Sequence, residues 1–271
     1  MKWTVHFIGK ELSLHRMSFA DVLGKGRPQL VLSPLLKTDG AGVRFEALEI
    51  PANPKTDRWP ATILDESLNR MHAHTHVDWD DNGAVHSLVG AAEGTFLVSR
   101  KSDGTFTKRP LGTGAEGPTL EARGVGEVKA GFWNHKSGQR FLATVEPMHG
   151  NQVAFYHGST ASSEPWSRHV IDTTLKQGHA VWCADLDGNG RDEIIVGHRE
   201  PGPGPVVGPG LYAYENTGED PNGWKKHVID DGGCAVEDAF AADFNGDGRP
   251  DLVAGGRATH NVKLYLNRGS K

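Results

Sequence analysis

Apolar and polar positions alternate along most of this chain in short runs, with no stretch of helical period long enough to matter. Val153-Ala-Phe-Tyr, Leu211-Tyr-Ala-Tyr and Val262-Lys-Leu-Tyr-Leu are rich in aromatic and β-branched residues, and Gly, Asp and Asn cluster between such runs. That pattern predicts strands joined by tight turns. The runs also recur as a unit. A Trp-led strand is followed by a polar strand, an Asp-rich turn and two more apolar strands. The clearest copies run from Trp166-Ser-Arg-His-Val-Ile to Gly197 and from Trp224-Lys-Lys-His-Val-Ile to Gly255.

Taking the first Asp of each turn as an anchor places the repeats at Asp21, Asp78, Asp185 and Asp243, with a degenerate third copy anchored near Phe132. Successive spacings are 57, 54, 53 and 58 residues. The opening aromatics are Trp3, Trp59, Phe106, Trp166 and Trp224, and the third repeat carries a longer loop, Gly112 to Glu127. All-strand repeats of this length predict a five-bladed β-propeller of four-stranded blades in one domain spanning residues 1–271. The chain ends on a Tyr strand, so the last blade needs an outer strand. Trp3–Ile8 has the right pattern and is expected to supply it, closing the ring and covering its edge.

Composition narrows the function classes. The formal net charge is −5, no basic cluster stands out and no apolar stretch approaches membrane-spanning length. Nucleic acid and membranes are therefore not expected partners. The start, Met1-Lys-Trp-Thr-Val-His-Phe, lacks the apolar core of a secretory leader, which predicts a cytoplasmic chain, or a secreted one if a leader has been trimmed. Cys183 and Cys234 are too few for a disulfide framework and read as packed thiols.

The Asp turns carry one candidate chemistry. Asp185, Asp187, Asn189 and Glu193 fall at +0, +2, +4 and +8, as do Asp243, Asn245, Asp247 and Asp251. Such oxygen-only sets suit Ca²⁺, and Asp and Asn also cap turns without any metal.

A second chemistry emerges six residues before each anchor. That column reads His15, His72, Gly126 (or its neighbour Glu127), His179 and Glu237. In a propeller the innermost strand of every blade starts at the mouth of the central channel, so these side chains are expected to meet on the axis. Imidazole with carboxylate suits Zn²⁺, Mn²⁺ or Fe²⁺, with Mg²⁺ as a further candidate. His15, His72, His179 and Glu237 are the expected metal ligands. His72, His179 and Glu237, with His149 and His260 from the second-strand ends, are the candidates for acid–base work. Arg16, His74, Glu121, Arg123, His198, Arg199 and Arg257 are the expected substrate contacts; His74 and His76 follow His72 at period two. The Pro-rich segment Pro201 to Pro209 is expected to shape the rim.

The Asp turn followed by an apolar strand resembles the FG-GAP or VCBS repeats of integrin-like propellers. Gly178-His-Ala-Val-Trp-Cys-Ala-Asp and Gly197-His-Arg-Glu-Pro-Gly also resemble the propeller part of the aldos-2-ulose dehydratases, longer metal-dependent sugar lyases with additional cupin domains. The resemblance implies a carbon–oxygen lyase that abstracts a proton next to the carbonyl of a keto-sugar or keto-glycoside, with a small carbohydrate as its substrate. Two alternatives remain open: a metal-dependent glycoside hydrolase, and a non-catalytic Ca²⁺-binding propeller that holds a glycan or a protein.

Overall fold

The computed structural model describes residues 1–37, 42–160, 162–203, 208–218 and 223–269. The described residues form nineteen strands and no helix. Blade one holds β1 (Leu14–Ala20), β2 (Gln29–Pro34), β3 (Phe45–Leu48) and β4 (Ala61–Asp65). Blade two holds β5 (Met71–Asp78), β6 (Val85–Ala91), β7 (Gly94–Arg100) and β8 (Phe106–Gly112). Blade three holds β9 (Glu127–Asn134), β10 (Gln139–Glu146), β11 (Gln152–His157) and β12 (Ser167–Asp172). Blade four holds β13 (Gly178–Ala184), β14 (Glu193–His198), β15 (Gly210–Asn216) and β16 (Trp224–Asp231). Blade five holds β17 (Val236–Ala242), β18 (Asp251–Gly256) and β19 (Asn261–Tyr265). Every neighbouring pair is antiparallel, which is what an up-and-down blade of alternating strands requires. The fold is the expected all-β five-bladed propeller, and the outer strand of each four-stranded blade is the Trp- or Phe-led strand that opens the next repeat.

Apolar residues sit between blades. Val31, Phe45 and Ala47 of blade one pack on Met71, Val89 and Ala91 of blade two. Leu88 and Leu97 meet Val128 and Leu142 across the next seam, and Phe141 and Phe155 meet Ile194 and Tyr212 across the third. Ala180 and Ile195 pack on Val236 and Leu252 across the fourth. Burial of these strand faces supplies the main driving force of the fold.

The expected closure by the N-terminal strand is not what the structure shows. Trp3–Ile8 forms no strand, and Trp3, Val5 and Phe7 are 84, 90 and 80% exposed. Blade five therefore ends on β19, with Val262 and Leu264 open to solvent. The reason lies in where the segment is anchored. Ile8 packs against Leu30, Leu32 and Leu48 of blade one, which holds the segment on that blade.

The innermost strands carry a shared irregularity. In four blades the ladder shifts register next to the column residue: between Leu14 and Arg16, Met71 and Ala73, Gly178 and Ala180, and Val236 and Asp238. His15, His72, His179 and Glu237 are thus bulged residues. A bulge frees one residue from the ladder and re-aims its side chain, here toward the channel mouth.

Candidate active site at the channel mouth

Each column histidine donates its Nδ1–H to a backbone carbonyl of the column position in the following blade. His15 Nδ1 lies 3.1 Å from His72 O, His72 Nδ1 lies 3.1 Å from Gly126 O, and His179 Nδ1 lies 2.6 Å from Glu237 O. A carbonyl only accepts, so Nδ1 carries the proton and Nε2 is left with its lone pair.

The ring nitrogens converge, and His149 Nε2 donates to the His72 Nε2 lone pair. His72 Nε2 and His149 Nε2 are 3.0 Å apart, and the ligating atoms of His72, His149 and His179 all lie within 4.8 Å of one another. His149 stacks on His179 with ring centroids 4.9 Å apart, and His72 meets His179 edge-on at 5.3 Å. His149 reaches this position from the β10–β11 turn with a left-handed backbone, φ 52°. Burial drives all three toward the neutral form: His72 is pushed down to about 3, and His149 and His179 to about 4. Neutral imidazoles suit a metal ligand set; backbone carbonyls tie down the Nδ1 atoms of His72 and His179, and Glu127 Oε1 lies 3.0 Å from His72 Nδ1. Two nitrogens each about 2.1 Å from one zinc-like ion stand roughly 3.0–3.4 Å apart, which matches the His72–His149 spacing.

Carboxylates flank the trio. Glu127 is raised by burial, with Arg16 pulling the other way from 2.5 Å. At Glu237 burial also favours the neutral acid, but His179, Arg199 and Arg257 together hold it below its ordinary value. Glu237 Oε1 lies 3.5 Å from His179 Nε2. Arg199 is braced between Glu237 at 3.2 Å and Gln177 at 2.6 Å.

The expected site residues divide accordingly. His72, His179, Glu237 and His149 come together, and His15 lies against His72 with ring centroids 4.6 Å apart. Arg16 lines a cavity with His74, Glu127, Lys129 and Asp238. Arg257 acts on Glu237 through its charge. Glu121 and Arg123 lie on the β8–β9 loop beside Arg70.

Other candidate residues lie elsewhere. His74 does not join the trio but lines the cavity that holds Arg16 and Lys129. The bulge between Met71 and Ala73 breaks the period-two alternation, and His74 hydrogen-bonds Ser18 and Ser33 of blade one at 2.7 and 2.9 Å. His198 is buried in blade four, between Glu200 O and the Tyr212 hydroxyl, each 2.9 Å away. His260 occupies the β18–β19 turn and is not among the residues drawn to the trio. The middle of the Pro201–Pro209 segment lies outside the described residues. Cys183 is no nucleophile at neutral pH, because burial raises its thiol well above the usual range.

At the far end of the channel strands, Asp185, Asp187 and Glu193 also gather their carboxylates within 4.8 Å. Glu193 is 3% exposed and burial pushes it up to about 8; its Oε1 has no hydrogen-bond partner among the described residues. The corresponding turn of blade five is satisfied internally. Asp243 accepts from Gly246, Asp247 and Gly248, Asp247 pairs with Arg249 at 2.6 Å, and Asp251 accepts from Phe244 and Asn267.

Aldos-2-ulose dehydratase of Phanerodontia chrysosporium is 30% identical to the chain over 244 residues, which cover 79% of this chain and 26% of that protein. This propeller resembles that enzyme. The chain spans about a quarter of the relative's length. An Agrocybe aegerita lectin, solved for its specific recognition of non-reducing terminal N-acetylglucosamine, superposes with a TM-score of 0.53 at 16% identity, over 96% of this chain and 67% of the lectin chain. At that identity the likeness concerns the fold. No protein-family model matches the chain, so its likeness to FG-GAP or VCBS repeats rests on the Asp turns.

Proposed function

We propose that the protein is a metal-dependent carbohydrate lyase that removes water or an alcohol from a keto-sugar or keto-glycoside at the channel mouth. The observation that carries this reading is the convergence of His72, His149 and His179, three neutral imidazoles with ligating atoms within 4.8 Å of one another. The likeness to a dehydratase supports it. The trio would hold a divalent transition ion, Zn²⁺, Mn²⁺ or Fe²⁺, which polarises a bound carbonyl and acidifies the adjacent C–H.

The chain's own residues supply the remaining chemistry. Glu237 is the base. It is held ionised by its cationic neighbours, and its side chain is 38% exposed at the mouth. Its carboxylate takes the proton next to the carbonyl, the C–H pair becomes the new C=C bond, and the C–O bond to the β-oxygen breaks. The protonated Glu237 returns its proton to the departing hydroxyl, so water leaves and the enzyme is restored. Arg199 orients Glu237, and the bond between His179 and the Glu237 backbone fixes the distance between ion and base.

Incubation with a panel of 2-keto-sugars tests the reading. The expected result is an ultraviolet-absorbing unsaturated carbonyl product that disappears with chelator and with Glu237→Gln. Cleavage to saturated sugars instead would make the protein a hydrolase, and saturable glycan binding with no product would make it a binding module. The Asp185–Asp187–Glu193 turn is proposed to hold Ca²⁺ as a structural ion, because a buried carboxylate oxygen without a partner needs a cation or a proton.

A further inference from the structure

We propose that Arg70 and Arg123 form an anion-binding subsite on the rim of the channel mouth, which takes the carboxylate or phosphate group of an acidic sugar. The sugar in this statement rests on the lyase reading; the anion site rests on the geometry below.

Arg70 is the least satisfied cation of the site. Its side chain is 2% exposed, and neither Nη1 nor Nη2 has a hydrogen-bond partner among the described residues. A guanidinium offers five donors in a planar fork, and buried ones are ordinarily met by a carboxylate in bidentate fashion. Here the facing carboxylate, Glu121, stands off at 4.0 Å. Glu93 is also near enough to act on Arg70 through charge, but its Oε1 accepts from Asn69 at 3.1 and 2.7 Å, while Oε2 has no partner. Arg123, whose Nε is likewise without a partner, adds a second positive charge beside Arg70. A cavity of about 440 Å³ opens beside Arg123, with room for a monosaccharide; Glu93, Thr113, Glu116 and Arg123 line it among others, and Arg70 does not.

Position ties this group to the metal trio. Arg70 immediately precedes β5, two residues before His72, and its charge acts on His72. It also occupies the repeat position of Gln177, eight residues before the anchor, and Gln177 braces Arg199 beside Glu237. The two positions therefore flank the mouth from different blades. A substrate with its carbonyl at the trio would direct one end toward Arg70. Glu121 is 70% exposed on the β8–β9 loop, so a ligand anion can displace it from Arg70 without disturbing a packed element. With Glu121 swung away, Glu93 is the carboxylate left acting on Arg70, and Glu116 lines the cavity beside Arg123.

Calorimetric titration with D-glucuronate, glucose 6-phosphate and D-glucose tests the subsite without requiring turnover. The wild type is expected to bind one of the acidic sugars at least about tenfold more tightly than glucose, and the tighter of the two tells carboxylate from phosphate. Arg123→Gln, at a partly exposed rim position, should cut that preference by about 10- to 100-fold, the usual weight of a charge-assisted hydrogen bond. Arg70→Met should abolish it, with Arg70→Lys as the variant that keeps the charge. Glu121→Gln should tighten acidic-sugar binding, an effect that a purely structural role would not give. Equal affinity for glucose and the acidic sugars, or a preference unchanged in Arg123→Gln, would overturn the proposal. Acid preference without any unsaturated product would remove the lyase reading and leave the subsite standing. Elimination from a neutral keto-sugar with no acid preference would do the reverse.

Discussion

The burial of His72 makes a quantitative claim about acid stability. Its side chain is 1% exposed, and burial, assisted by the charges of His15 and Arg16, lowers it from 6.5 to about 3. Because the folded value lies below the unfolded one, the unfolded chain takes up a proton first as pH falls. The stabilising contribution is therefore complete above pH 6.5 and is lost on acidification, until the folded imidazole itself titrates near pH 3. Between pH 6.5 and 5 the difference is 1.5 pH units at about 1.4 kcal/mol each, or roughly 2 kcal/mol from this residue alone. The perturbation is His72→Asn, which keeps an N–H for the Gly126 carbonyl and removes the titration. Urea unfolding at pH 7 and pH 5, in chelator, gives the four stabilities needed. The variant is less stable at pH 7 because it leaves a void, but its loss between pH 7 and 5 should be smaller than that of the wild type by roughly 2 kcal/mol. His74 and His76 are lowered by burial with no contribution from His72, so they cancel in the comparison. Equal losses would mean that His72 titrates normally in the folded protein, and the account of a buried neutral ligand would fail.

Three further outcomes follow from particular contacts. A methyl group on Gly150 would come within 2.0 Å of the Glu146 backbone oxygen, so Gly150→Ala must displace the turn that carries His149; transition-metal affinity should fall at least about tenfold with the far-ultraviolet spectrum unchanged. Glu193 is raised from 4.5 to about 8 by burial, so the stability from its protonated form is complete only below pH 4.5, falls as pH rises and is gone above about 8. Ca²⁺ added at pH 7 should raise the melting temperature and release a proton, and both effects should vanish in Glu193→Gln; no proton release in the wild type would leave the turn capped without an ion. Removal of residues 1–7, which form no strand, should change unfolding stability by less than about 0.5 kcal/mol, and a larger loss would mean that they close the ring after all.

Blade number, strand order and the Asp turns were legible because each repeat is a local signal of alternation and turn residues, repeated often enough to align. The column His15, His72, His179 and Glu237 was legible for the same reason. What could not be read was the bulge at those positions. It turns His72 to the trio and His74 to Ser18, Ser33 and the cavity lined by Arg16 and Lys129, so an argument from strict alternation misplaces His74. His198 lies at a strand end like the other candidates, yet its partner is Tyr212 within its own blade, a pairing set by tertiary packing. Arg70 was missed although its column was available: reading eight residues before the anchor would have put it with Gln177. The docking of the N-terminal segment depends on where Ile8 finds apolar company, and an outer-strand pattern does not encode that.

Elemental analysis of the purified protein, alongside His72→Asn, His149→Asn and His179→Asn, tests the central claim most directly. The account predicts about one equivalent of transition metal in the wild type, lost in each of the three variants while the Ca²⁺ content stays unchanged. Wild-type protein that takes up no transition metal when the ion is supplied, or variants that retain it in full, would contradict the account.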